Sequence, residues 1–312
     1  MLFGKWEKMM LNTLKTSLLA TAAACCLSFS AWAEDITIKS PEGLTLNANL
    51  VLADGKSIKD GIVLLTHGTL AHNKMEIIVA LQNLLAERDI SSIAPTLSFG
   101  VSNRTGSFDC AIPATHKHSD AMAEIGYWLG YVKSKGAKDV VVAGHSRGGN
   151  QTAWFAAENT DPAVSKVVLI APATWNAKDA AQGFKKTHNQ DLSSAFGKAT
   201  ALQAAGKGGE LMKGMGVLYC PGEDVTADSF VSYYKVDQRQ HTPNLLPKIS
   251  VPVLVIAASA DQVVDGLIEA VQPMVDGKKL QMVVVDEAGH FFLDFYIEDA
   301  ADAMEAFING AS

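Results

Sequence analysis

Apolar and polar residues alternate over Asp35–Lys39 and again over Leu44–Leu52, with Pro41-Glu42-Gly43 between them. A period of two on either side of a turn predicts an antiparallel hairpin. After Asp54-Gly55 the pattern changes. Gly61–Thr66, Ile90–Leu97, Asp139–Ala143, Val164–Ile170, Val251–Ala257 and Leu280–Val285 are short, nearly continuous apolar runs. Such runs are expected of parallel strands buried on both faces. Between them, apolar residues recur at helical spacing. Lys74–Arg88 carries Met75, Ile78, Leu81, Leu84 and Leu85, and a helix from Ser119 or Asp120 to Lys135 carries Met122, Ile125, Leu129 and Val132. Further helices are predicted over Arg147–Glu158, near Leu267–Val275 and over about Ile297–Phe307. Ser98–His118 reads as a long polar loop. From Trp175 to Pro247 no strong strand appears, only helical patches broken by Gly206-Lys207-Gly208-Gly209 and Gly214-Met215-Gly216. Strands alternating with helices predict an α/β fold: a mostly parallel central sheet with helices on both faces, and residues 175–247 as an inserted helical cap.

The residues ahead of this pattern read differently. Lys5, Lys8 and Lys15 flank the apolar stretch Thr16–Ser30, which ends in Ala31-Trp32-Ala33. A basic flank, a short apolar core and an A-x-A site describe a secretory signal peptide, residues 1–33. Residues 34–312 are then the folded domain, exported to the periplasm or secreted. Cys25 and Cys26 keep a lipid anchor open as an alternative, and a retained N-terminal anchor is another. Cleavage would take the formal net charge from −7 to −9. That balance excludes nucleic acid as a partner, because phosphate binding needs a basic patch. No other apolar run approaches the ~20 residues of a membrane span. At 312 residues and 48% hydrophobic, the chain can bury a sizeable core. Export also changes the reading of Cys110 and Cys220, which become disulfide candidates in an oxidising compartment. Two buried free thiols are the alternative.

Val140-Val141-Val142-Ala143-Gly144-His145-Ser146-Arg147-Gly148-Gly149 places G-x-S-x-G between a predicted strand and a predicted helix. At such a turn the serine backbone is strained and side chains two residues to either side would collide. Gly144 and Gly148 remove them. The helix that follows aims its N-terminal N–H groups at developing negative charge. A Gly-rich helix start that binds phosphate is the competing interpretation of the same residues.

With this motif the sequence resembles the α/β-hydrolase superfamily over nearly all of residues 34–312. The resemblance implies the chain order nucleophile, acid, histidine. Ser146 is the expected nucleophile. Val253-Leu254-Val255-Ile256-Ala257-Ala258-Ser259-Ala260-Asp261 offers Asp261 as the acid, with Asp265 as runner-up, and Val283-Val284-Val285-Asp286-Glu287-Ala288-Gly289-His290 offers His290 as the base. His67-Gly68-Thr69-Leu70 resembles the family's His-Gly-x loop. The N–H of Thr69, or alternatively of Leu70, is then expected to join that of Arg147 in an oxyanion hole.

His67 and His145 read as packing residues. His116-Lys117-His118 beside Cys110 and Asp120 resembles a metal-binding spacing but is read as a hydrated loop, so neither a metal nor a cofactor is implied. The Arg147 side chain is expected to face solvent or a structural ion pair, with an acidic substrate group as the alternative. In the cap, Phe184, Phe196, Met212, Met215, Leu218, Tyr219, Phe230, Tyr233 and Tyr234 can line an apolar pocket or simply fill the cap's core. The resemblance implies a serine hydrolase acting on a small-molecule carboxylic ester through an acyl-enzyme. Peptidase or amidase and thioesterase chemistry need the same three side chains. A non-catalytic binding protein that keeps the fold is a further reading; an acidic groove for a peptide amine would favour the peptidase, but Glu210, Glu223 and Asp224 are too scattered along the cap to decide.

Overall fold

A computed structural model describes residues 32–310. The expected signal peptide lies outside the described residues except for Trp32 and Ala33, which begin the first strand. Strands β1 (Trp32–Lys39) and β2 (Thr45–Leu52) form the expected hairpin. They are followed by β3 (Ile62–Thr66), α1 (Glu76–Glu87), β4 (Ser92–Thr96), α2 (Asp120–Ser134), β5 (Val140–His145), α3 (Arg147–Glu158) and β6 (Val164–Ile170). The segment between β6 and β9, termed the cap, contributes α4 (Ala177–His188), α5 (Leu192–Ala204), a two-residue pair β7 (Leu211–Met212) and β8 (Val225–Thr226), and α6 (Ala227–Tyr234). Strand β9 (Val253–Ala258), α7 (Leu267–Val271), β10 (Leu280–Val285) and α8 (Tyr296–Asn309) complete the chain.

The main sheet has eight strands in the order β1-β2-β4-β3-β5-β6-β9-β10. The pairs β1–β2 and β2–β4 are antiparallel and all others parallel. The continuous apolar runs have a simple origin. Ile62, Leu64, Val140, Val142, Val167, Leu169, Val253 and Val255 point to one face, where Ile125, Trp128, Leu129 and Val132 of α2 and Trp154 of α3 cover them. Val63, Leu65, Val141, Ala143, Val168, Ile170, Leu254 and Ile256 point to the other, beneath α1 and α8. Neither face is left wet, so a polar residue at any of these positions would lose its water.

Helix α7 stops at Val271, four residues short of the predicted end, because Pro273 cannot supply the next amide to the helix and the chain continues as a 3₁₀ turn. In the cap, Phe184, Met212, Met215, Phe230 and Tyr233 form a third core with Ala195, Ala199 and Val225. Met212, Met215 and Phe230 are thus consumed by cap packing, the second of the two roles open to them. Cys110 and Cys220 are paired, with Cα atoms 5.3 Å apart. The bridge ties the loop ahead of α2 to the cap. Cys220 is fully buried and packs with Leu70 and Phe108. Among the described residues no helix is long and apolar enough to cross a membrane.

Candidate active site

Ser146 lies immediately beyond β5, at the carboxyl edge of the parallel strands, where α/β sheets place their ligand crevices. Its backbone is at φ 58° and ψ −126°, a left-handed conformation that costs a non-glycine residue about 1–3 kcal/mol. Surrounding bonds hold it there. The Ser146 amide donates to the Ile170 carbonyl at 2.9 Å, and the Ser146 carbonyl accepts from Ala173 at 2.9 Å and Asn150 at 3.2 Å.

The glycines have the expected purpose, and the obstacles can be named. A Cβ on Gly144 would lie 2.5 Å from the Gly148 carbonyl oxygen. One on Gly148 would run into the His67 carbonyl oxygen and lie 2.8 Å from that of Thr66. Gly68, across the crevice, sits so close that its Cβ would be 3.2 Å from Ser146 Cβ. Helix α3 is therefore pressed against the turn after β3, which brings the Gly68 backbone against the serine.

His290 Nε2 and Ser146 Oγ are 2.9 Å apart, and His290 Nδ1 and Asp261 Oδ2 are 2.8 Å apart. Asp261 Oδ1 accepts from the amides of Val263 at 2.7 Å and Val264 at 2.9 Å. All three side chains are buried or nearly so. Burial alone would raise the Asp261 carboxyl. The hydrogen bonds from His290, Val264 and Val263 outweigh it and hold the carboxyl below the ordinary aspartate range, so it stays ionised. Asp265 is exposed, and its carbonyl accepts from Thr174. It makes no bond to His290.

Around these residues lie four further histidines, all buried and all held neutral, with basicity pushed down to about 3 chiefly by burial. His145 Nε2 donates to the His290 carbonyl at 2.9 Å, so the strand ahead of the serine grips the histidine loop. His67 Nδ1 donates to the Gly68 carbonyl, and its Nε2 accepts from the Leu97 amide at 2.9 Å. Buried Arg104 braces the same loop through the carbonyls of Leu97, Ala71 and Gly106. Sequence reasoning missed Arg104, since its partners are backbone carbonyls, two of them seven and 33 residues away.

The segment His116–His118 is not a hydrated loop. Both histidine rings are buried. His116 Nδ1 lies 2.6 Å from the Tyr233 hydroxyl, and the His116 carbonyl accepts from Ser229 Oγ. The His118 amide donates to Ser232 Oγ, and its Nε2 meets Asn150 Oδ1 at 3.0 Å. The reason is the cap, whose helix α6 closes over this loop and excludes water. Of the two roles expected for Arg147, facing solvent or a structural ion pair, the ion pair is not formed. Its Nε donates to Thr69 Oγ1 at 3.0 Å, and no carboxylate lies within 4 Å among the described residues.

A cavity of about 560 Å³ opens between cap and sheet, lined by Arg147, Asp261, Trp175, Phe184, Leu218, Tyr219, Tyr233 and Tyr234 among others. Five of the cap side chains considered as pocket walls therefore line it, while Phe196 packs against the cap core instead.

A strained serine between glycines, a histidine behind it and a mostly parallel, doubly covered sheet define the hydrolase class of α/β proteins. The family model described as alpha/beta hydrolase family matches residues 62–307, and the chain belongs to that family. Among solved structures, Est1E from Butyrivibrio proteoclasticus bound to ferulic acid is similar at TM-score 0.62 and 18% identity, covering 88% of this chain and 98% of its own. An esterase of Pyrococcus furiosus is similar at TM-score 0.59 and 16% identity, covering 90% and 92%. DcsB in complex with a substrate analogue reaches TM-score 0.65 at 13% identity, covering 89% and 99%. At these identities the likeness is one of fold. No protein of curated function matches the sequence.

Proposed function

We propose that this chain is a serine hydrolase of carboxylic esters, acting through an acyl-enzyme. The observation that carries the reading is the unbroken hydrogen-bonded series Ser146, His290, Asp261 on a strained serine. Ser146 Oγ attacks the ester carbonyl as His290 Nε2 takes its proton, and Asp261 fixes the imidazole tautomer and stabilises the imidazolium. The carbonyl oxygen becomes an oxyanion, received by the N–H groups of Arg147 and Thr69. Neither amide donates to another group among the described residues, so both are free for it. Collapse expels the alcohol, which leaves with the proton from His290. Water, activated by the same histidine, then attacks the acyl-enzyme and frees the acid and Ser146. The ester assignment draws support from the similar Pyrococcus furiosus structure, which is named as an esterase. Removal of residues 1–33 as a signal peptide and export belong to the same proposal, and the Cys110–Cys220 bridge is compatible with an oxidising compartment. The test is a panel of short-chain esters, thioesters and aminoacyl amides with the native chain and Ser146→Ala. Ester turnover that the substitution abolishes is expected. Preferential amide cleavage, or turnover that survives Ser146→Ala, would contradict the proposal.

A further inference from the structure

The chain has four arginines, and three are fully engaged. Arg88 pairs with Asp302 and Glu305, Arg239 with Asp237 and Glu158, and Arg104 with three backbone carbonyls. Arg147 is different. Of the five N–H donors of a guanidinium, Nε serves Thr69 Oγ1 and one Nη1 hydrogen faces His118 Nδ1 at 3.4 Å. The remaining donors meet no acceptor among the described residues.

Its neighbours fix how it is presented. Asn150 Nδ2 donates to the Arg239 carbonyl and to Thr242 Oγ1, which leaves Asn150 Oδ1 as an acceptor. His118 Nε2 must therefore carry the proton that meets Oδ1, and its bare Nδ1 faces Arg147. The Tyr233 ring lies 5.6 Å from the guanidinium carbon. A hydroxyl, a ring nitrogen and an aromatic face hold the cation, and none of them neutralises it. The carboxylates of the same cavity lie elsewhere: Asp261 is held by His290, Asp179 at the exposed rim accepts from Asn176 Nδ2, and Asp265 is in solvent.

We infer that the Arg147 guanidinium is a carboxylate-binding subsite, and that the ester cleaved at Ser146 carries a free carboxylate seated in the aromatic cavity. The planar donor fork matches a carboxylate, and Trp175, Tyr219 and Tyr233 supply an apolar wall for the linking atoms. The inference rests on the reading of Ser146 as nucleophile for its catalytic half, but the anion site can be tested without turnover.

Titration calorimetry of the Ser146→Ala protein compares monomethyl glutarate with methyl 5-methylhexanoate, in which an isopropyl group replaces the carboxylate. A charged hydrogen-bond pair predicts about 10- to 100-fold tighter binding of the carboxylate ester. In Ser146→Ala/Arg147→Met that ratio falls to near unity. Arg147→Lys keeps part of it, since charge remains but the fork is lost. If the Arg147 variants do not fold, the ratio on the Ser146→Ala protein still decides. Equal or weaker binding of the carboxylate ester, no binding of either ester, or a ratio that survives Arg147→Met overturns the subsite. Hydrolysis of both esters by the native chain, followed by pH-stat, separates the two readings. Turnover without carboxylate preference sinks the subsite and leaves the hydrolase. Selective binding without turnover sinks the hydrolase and leaves the subsite.

Discussion

An alanine at Gly148 puts a methyl group where the His67 carbonyl oxygen already stands, 2.8 Å from the Thr66 carbonyl oxygen and 2.9 Å from the His67 carbonyl carbon. Real Cβ atoms essentially never come within 3.0 Å of a neighbour, and these obstacles are backbone, so no side chain can rotate aside. Relief requires α3 to part from the turn after β3 by on the order of 1 Å, and overpacking of this kind costs roughly 1–3 kcal/mol. At the upper end this lowers Tm by about 5 °C in a domain of this size. The same parting carries Thr69 away from Ser146, and a misplacement of about 1 Å slows the reaction about 100-fold. Gly149→Ala meets the Gly144 carbonyl oxygen at 2.9 Å and Pro172 Cα at 3.0 Å, and should fall between Gly148→Ala and the native chain. Gly126→Ala, inside α2, finds nothing nearer than Phe155 Cε2 at 3.7 Å. It should stabilise by up to about 1 kcal/mol through helix propensity. Scanning calorimetry and the rate of fluorophosphonate adduct formation give the two rankings. A Gly148→Ala protein that melts and reacts like the native chain would refute the reasoning.

Three further outcomes follow from the geometry. Breaking the Cys110–Cys220 bridge by Cys110→Ser removes a cross-link over a separation of 110 residues. The chain-entropy model puts the loss at about 4–5 kcal/mol, and a thermal melt with and without reductant reads it. Glu223 is buried with neither carboxylate oxygen hydrogen-bonded, and burial pushes its carboxyl up to about 8. Its native form holds a proton that the unfolded chain has released, so its contribution to stability falls as pH rises from about 5 to 8. Glu223→Gln should flatten denaturation midpoints over that window, and an unchanged slope would count against the burial. Asp261→Asn should lower kcat by about three to four orders of magnitude while Asp265→Asn stays within about threefold, as steady-state kinetics on a cleaved ester would show.

Much of the fold is legible in the chain because the inner strands β3, β5 and β9 of the parallel sheet are buried on both sides. Gly61–Thr66 is apolar up to its last residue and corresponds to β3 with one boundary shifted by one residue, and Val164–Ile170 has the bounds of β6, its polar Ser165 and Lys166 confined to the start of the run. The expected positions of Ser146, Asp261 and His290 also lie in local signals, each just after a strand. What stayed hidden depends on distant contacts. The strands β7 and β8 are two residues each, too short for a period to register. His116 and His118 sit in polar sequence and are closed off from water with the help of α6, more than 100 residues later. Arg147 lacks an ion-pair partner for the same reason: which carboxylates reach it is settled by the cap, not by its neighbours in the chain.

The central claim is that Ser146 is activated by His290 and Asp261. Mass-spectrometric mapping of a fluorophosphonate adduct tests it most directly. One adduct is expected, on Ser146, absent from Ser146→Ala and formed at least about 100-fold more slowly in Asp261→Asn. An adduct on another residue, or none on folded protein, would contradict it.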